Sequence, residues 1–166
     1  LQTTIFDPSI TNLFFSDNAA DAEIKGIEGD FIWAPPGISG LTVTGAFSLL
    51  DTEITRVITP TNDVILGDSL AYAPEQQGNL RARYEWSVGS GLTAHVMPQI
   101  SYSADSYSDI VTINRDQLDS WTMLGVTAGV TSDQWSAEMF VENLSDERAE
   151  IARSFNFDRQ RVNYVR

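Results

Sequence analysis

The sequence of 166 residues contains no cysteine, one histidine, His95, and one lysine, Lys25. Without thiols there is no disulfide framework, no thiolate nucleophile and no thiolate-held zinc. The compartment stays open, because a thiol-free chain suits the cytosol and an oxidising envelope alike. A lone imidazole excludes any site that needs two. Ten basic residues stand against 23 acidic ones, a formal charge of −13. Clustered Lys and Arg of the kind that neutralise phosphates are therefore lacking, which excludes nucleic acid as a partner. No apolar run approaches the ~18 residues of a membrane-spanning helix. The length suits one domain, at roughly 100–200 residues per domain. These absences remove many functions and select none.

What is present is alternation. Leu41, Val43, Phe47 and Leu49 fall on one face of a stretch whose other face carries Thr42, Thr44 and Ser48. From residue 79, Leu80, Ala82, Tyr84 and Trp86 oppose Asn79, Arg81, Arg83 and Glu85. Leu92, Ala94, Val96, Ile100 and Tyr102 oppose Thr93, His95, Gln99 and Ser101, and Trp135, Ala137, Met139 and Val141 oppose Ser136, Glu138 and Glu142. A period of two with one apolar face is the signature of a half-buried β-strand. There is no internal repeat and no low-complexity tract.

Strand length and connection length narrow the fold class. These strands run to roughly 10–13 residues, against a usual mode of about 5–6. Pro35–Gly40, Gly89–Gly91 and Ser132–Gln134 are tight turns, whereas Glu53–Glu75, Asp105–Leu118 and Ser145–Arg161 are long polar loops. Loops beyond about 12–15 residues are uncommon in compact domains, so three in regular alternation with tight turns need a cause. A transmembrane β-barrel supplies one: tilted strands of about 9–11 residues, short turns on one side, long loops on the other. Every backbone N–H and C=O in lipid is then paired between strands. Phe31, Trp33, Trp86, Tyr102, Trp121 and Trp135 lie near strand ends, where interfacial girdles are expected. Much of the acidic excess sits in the long loops, as in Asp63, Asp68, Asp105, Asp109, Asp116, Asp146, Glu147 and Glu150. The competing fold is a soluble extracellular β-sandwich that binds a carbohydrate or protein, which alternates in the same way.

Four stretches resemble the C-terminal part of the β-barrel of TonB-dependent outer-membrane receptors. They are Asn18–Asp30, Leu41–Ile54, Ala73–Leu80 and, most specifically, Trp135-Ser-Ala-Glu-Met-Phe-Val-Glu-Asn-Leu-Ser-Asp-Glu147. They follow the family's order across most of the chain. The resemblance implies an all-β antiparallel meander of about eight strands, the outer two being Leu1–Phe6 and Val162–Arg166. Residues 1–166 then form one C-terminal segment of a barrel of roughly 22 strands, with the plug, the TonB box and the end of the last strand outside this chain. The implied activity is TonB-dependent uptake of a scarce solute, most often an iron-siderophore complex, across the outer membrane of a Gram-negative bacterium. The implied partners are the TonB complex, through the plug, and outer-membrane lipid. Vitamin, carbohydrate and other metal-chelate cargoes are alternatives. No covalent chemistry is implied, hence no enzyme activity, catalytic residue or cofactor. A passive porin-like barrel or an adhesin is the alternative within the same fold.

Several residues carry functional and structural readings side by side. Glu28, Asp30, Arg81, Arg83 and Glu85 project from neighbouring strands toward the lumen, either as a charged wall guiding a solute or as an inter-strand ion-pair ladder. Asp105-Ser-Tyr-Ser-Asp109 offers two carboxylates and hydroxyls to a hard cation but lacks the spacing of a twelve-residue calcium loop, so a solvated loop is expected and no metal site is assigned. Tyr102, Tyr107 and Arg115 are the ligand-facing loop candidates. His95, on the polar face, is expected to be structural. Gly37–Gly40 and Gly89–Gly91 are hairpin turns rather than nucleophile elbows. Asn143-Leu-Ser145 matches a glycosylation pattern that is frequent by chance, and a single helical turn is expected over Asp146–Ile151.

Overall fold

The computed structural model describes residues 1–6, 14–58, 63–156 and 159–165, with side chains described for a subset of these. Five long antiparallel strands carry the fold: β3 (Ala20–Trp33), β4 (Leu41–Val57), β5 (Gln76–Gly89), β6 (Leu92–Ser103) and β9 (Trp121–Thr131). With β10 (Ser136–Val141) they form one six-stranded sheet in the order β10-β9-β6-β5-β4-β3, an unbroken meander. β1 (Gln2–Phe6) pairs with β2 (Phe14–Asn18), which leads almost directly into β3. β7 (Ser106–Tyr107) and β8 (Gln117–Leu118) form a small ribbon within the β6–β9 connection. β11 (Ala149–Asn156) and β12 (Arg159–Val165) make a final hairpin.

The strands outrun the expected span: β4 has 17 residues, and β3 and β5 have 14 each. The expected loop over Glu53–Glu75 therefore loses its first residues to β4. The expected loop over Ser145–Arg161 is largely the β11–β12 hairpin, a correction with a physical reason. Register shifts between Glu150 and Ala152, and such a bulge breaks the period of two that marks a strand. No helical turn forms over Asp146–Ile151; the chain turns at Leu144–Ser145 and enters β11 at Ala149. The final strand begins at Arg159, and β12 is held by β11 through seven residue pairs.

The tight turns are where the backbone needs glycine. At Gly40, φ is +84°, and an added Cβ would lie 2.0 Å from the Glu85 carbonyl oxygen. The Gly40 carbonyl in turn accepts from the Glu85 N–H at 2.8 Å, tying the β3–β4 turn to β5. Within β6, Pro98 has no N–H to donate, and the β5–β6 pairing skips from Arg81/Gln99 to Tyr84/Val96.

Register settles which face each residue takes. Leu49, Phe47, Gly45, Val43 and Leu41 share a face with Ile27, Phe31 and Trp33 of β3 and with Leu80, Ala82 and Tyr84 of β5. That face continues through Ile100, Val96 and Ala94 of β6 to Leu124, Val126, Ala128 and Val130 of β9. No second sheet covers it among the described residues: Leu80, Tyr84 and Trp86 remain 42, 42 and 40 % exposed. A soluble sandwich buries such residues between two sheets; here they stay open. The buried core lies elsewhere, at one end of the sheet, where Ala19, Ala20 and Ile54 meet Val64, Ile110 and Val111 from the long loops.

Candidate functional site: the polar wall and its loop cap

The opposite face of the sheet is organised in rows. Glu28, Ser48, Gln77, Ser103 and Trp121 form one row across β3, β4, β5, β6 and β9. The next contains Asp30, Ala46, Asn79, Ser101 and Met123, and the one after it Ile32, Thr44, Arg81, Gln99 and Gly125. Glu28, Asp30, Arg81, Arg83 and Glu85 therefore share this face. Arg83 Nε pairs with Glu85 Oε1 at 2.8 Å along the same strand. Glu28, Asp30 and Arg81 make no side-chain hydrogen bond or ion pair with the described residues and stay exposed. No inter-strand ladder forms among these five: the one pair lies within β5, and the other three charges face open space.

Trp121 takes the face opposite to the one its girdle reading requires. It was expected in an interfacial girdle, yet register sets it opposite Ser103, on the polar face. It sits half-buried where two recesses meet. One, of about 370 Å³, lies along the wall over Ser48, Gln77, Asn79 and Ser101. The other, of about 130 Å³, lies under the loops and is bounded by Tyr72, Leu118, Asp119 and Ile151. Tyr102 has the reverse orientation: it pairs with Gly78 and Thr122 on the apolar face, alongside Ile100. That suits its girdle reading and sets its ring away from the wall.

His95 is held as a structural residue. It is 6 % exposed, and its Nε2 lies 3.3 Å from Glu138 Oε1, two strands away. Gly129 stands between them, and a Cβ there would come within 2.6 Å of the His95 ring. Gln99 lies over Gly125 in the same manner. The strand between them is bare so that side chains from β6 can cross it.

The loops form a braced cap rather than free strings. Arg115, expected to face a ligand, is spent on holding two loops together. It donates to the Ser69 carbonyl at 2.9 Å, Ser69 Oγ at 3.0 Å and the Asp109 carbonyl at 3.1 Å, and it faces Asp68 Oδ2 at 3.4 Å. Its guanidinium lies 3.8 Å from the centre of the Tyr107 ring, a cation–π contact. Thr112 donates through N and Oγ1 to the Asp63 carbonyl, at 2.7 and 2.8 Å. Asp109 Oδ1 accepts from the N–H groups of Ile110 and Val111, and Asp105 Oδ2 accepts from Gln117. Both carboxylates proposed for a cation therefore shape their own loop. No group of three potential metal ligands gathers among the described residues.

The β11–β12 hairpin joins this cap through Arg153. Its guanidinium bonds Glu150 and reaches Asp116 at 3.5 Å, while its carbonyl accepts from the Tyr72 hydroxyl at 2.8 Å. The Glu150 carboxylate raises the guanidinium pKa further above its already high usual value. The Asn143-Leu-Ser-Asp146 stretch anchors the base of the hairpin. Asn143 takes a left-handed φ of 54°, and its side chain both donates to the Glu147 carbonyl at 2.7 Å and accepts from the Glu147 N–H at 2.8 Å. Leu144 N–H donates to the Leu124 carbonyl at 2.8 Å, fastening the turn to β9.

Two boundaries mark a band on the apolar face. At the tight-turn end stand Trp33, Tyr84, Trp86 and Trp135, with Tyr84 and Trp86 stacked at 5.7 Å, whereas Phe31, expected in a girdle, lies in the middle row with Gly45 and Leu80. At the loop end, apolar residues stop at Ile27 and Leu49, and the same face continues as Lys25 and Glu23 of β3 opposite Asp51 and Glu53 of β4. From Leu41 to Leu49, at ~3.3 Å per residue, this face runs ~26 Å. Tilted by ~35–45° as barrel strands are, that length covers ~19–22 Å of height, most of the ~25 Å apolar band of an outer-membrane barrel. An exposed apolar band with aromatic and charged edges, backed by a polar face, defines a strand-built membrane wall.

The sequence comparison names the class. The family model for "TonB dependent receptor-like, beta-barrel" matches residues 1–144, and the chain belongs to that family. No curated protein matches the sequence. Among solved structures, the ferric yersiniabactin uptake receptor FyuA from Yersinia pestis is similar with a TM-score of 0.74 at 14 % identity, over 91 % of this chain. BauA, the ferric preacinetobactin receptor from Acinetobacter baumannii, is similar with a TM-score of 0.65 at 18 % identity, over 97 % of this chain. The chain spans 23 % of each of those chains. At such identity the likeness shows the fold, an arc of this kind of barrel whose sheet is open here, with β3 and β10 at its edges.

Proposed function

We propose that this chain is the C-terminal barrel segment of a TonB-dependent transporter in the outer membrane of a Gram-negative bacterium, and that the transporter takes up an iron-siderophore complex. The observation that carries this is the two-faced sheet, with its apolar band, ~26 Å along the strand, on one side and unpaired charge and amides on the other. Glu28, Asp30 and Arg81 act as the exposed charges of the solute path, with the Arg83–Glu85 pair beside them. Tyr107 and Arg115 act through the loop mouth whose shape they hold. The ferric chelate receptors with the same fold support an iron-bearing cargo. The energy comes from the inner-membrane proton gradient through TonB and a plug supplied outside these residues. The chain's own part is to bind, steer and exclude lipid, with no covalent step.

Whole-cell uptake tests this. Cells deleted for the parent gene lose accumulation of at least one ferric siderophore, and the complemented strain regains it. Dissipating the proton gradient abolishes the regained uptake. Accumulation that persists after dissipation would instead establish a passive porin.

A further inference from the structure

Trp121 is out of place by composition. It is a large half-buried aromatic on a face otherwise furnished, in its vicinity, by Ser48, Gln77, Asn79, Ser101 and Ser103. Small hydroxyl residues keep the floor of the recess low, and the indole stands at its loop end. Of the polar groups, Ser103 Oγ donates to the Ala104 carbonyl at 3.2 Å, and Gln77 reaches Ser103 at 3.5 Å. The side chains of Ser48, Asn79 and Ser101 make no hydrogen bond with the described residues. Their donors and acceptors are open to a bound molecule. Because Trp121, Gln77 and Ser103 also bound the recess beneath the loops, a solute passing from the loop mouth to the wall meets the indole first.

We infer that Trp121, with Gln77, Asn79 and Ser101, forms a solute subsite that takes an uncharged ring bearing hydroxyl or amide groups. The indole offers its face to the ring, and the amides and hydroxyls satisfy its polar edge. Charge sets the class. No basic side chain lines either recess, while Glu28 and Asp30 end the two rows of the wall and Asp119 lies on the loop side. Arg81 stands one row further along. With no cation lining either recess and Asp119 lining the lower one, an anionic chelate finds no charge partner inside them, and the carboxylate opposes its binding. The subsite rests on the reading of the chain as part of an uptake receptor and specifies its cargo.

The test uses the full-length receptor in detergent, with Trp121→Ala, Trp121→Phe and Asn79→Leu variants. The probes are a neutral ferric trihydroxamate, a neutral maltooligosaccharide and a trianionic ferric tricatecholate. One of the neutral compounds binds the wild type, and which one tells a chelate from a sugar. Its Kd rises about five- to tenfold in Trp121→Ala and at most about threefold in Trp121→Phe, which keeps a ring face. Asn79→Leu, which leaves the indole and the fold intact, weakens the same compound several-fold. Tightest binding of the tricatecholate overturns the subsite. So does no binding by any of the three, or unchanged Kd values in variants that retain the heat-modifiable gel mobility of a closed barrel. If uptake still needs the proton gradient while these variants are silent, the subsite fails and the transporter reading stands.

Discussion

At the scale of single residues, Asn143 combines two tasks that no other side chain does as well. It tolerates a left-handed backbone, and it clamps both the N–H and the C=O of Glu147. Asn143→Ala loses both bonds and keeps the strain, so about 2–3 kcal/mol of local stability is expected to go. Asn143→Gly relieves the backbone and falls between the two. Amide exchange at Leu144–Glu147 reads the order wild type, Gly, Ala; an Ala variant as protected as the wild type contradicts the clamp. The motif that made this stretch recognisable in sequence is thus a small piece of turn chemistry. Trp121 shows the opposite case. Alternation gives two faces but no label for a strand whose inward face holds Met123, Gly125 and Gly129. Only pairing with Ser103 reveals the indole's side.

Among the elements, the loop cap makes the clearest prediction. Arg115 is the joint between the β4–β5 and β6–β9 connections, and its side chain is 11 % exposed. Arg115→Ala leaves Ser69 and Asp109 without their donor, costing about 2 kcal/mol locally, or roughly thirtyfold faster amide exchange in both loops. Arg115→Lys restores one bond at most, because an ammonium cannot reproduce the planar fork. Exchange in the β4–β6 ladder is expected to stay unchanged, so acceleration there instead would show that the cap and the sheet are one unit. β4, β5 and β6 were legible because Leu41–Leu49, Asn79–Trp86 and Leu92–Tyr102 alternate, β3 through the resemblance over Asn18–Asp30, and β9 only from the loop and turn that bound it. The cap was not. β7 and β8 have two residues each, too few to show a period, β11 hides its period behind a bulge, and Arg115 in sequence is merely a cation in a polar loop. Sequence suggested a ligand contact there, and packing adds a brace that no local pattern announces. The charged wall was legible by residue and face, since Glu28, Asp30, Arg81, Arg83 and Glu85 all alternate in phase with their strands.

For the molecule as a whole, depth and face together decide what a charge costs. Leu80 lies midway along the apolar band, in the row of Phe31, Gly45, Ile100 and Leu124. Leu80→Arg places a guanidinium at the centre of the hydrocarbon, at an expected cost of about 2–4 kcal/mol. Asp51 shares that face but lies above the level where Leu49 gives way to charge, so Asp51→Arg is expected to cost about 0–1 kcal/mol. Thr44 sits one residue from the band's midpoint on β4 yet faces the polar wall beside Arg81, and Thr44→Arg changes the lumen without touching lipid. Unfolding of the full-length receptor from lipid vesicles by denaturant measures all three. The membrane assignment requires Leu80→Arg to fall well below the other two. A protein whose apolar face merely awaited a soluble partner would be indifferent to Leu80→Arg in the absence of that partner, and equal stabilities at the three sites would remove the bilayer from the account of this sheet.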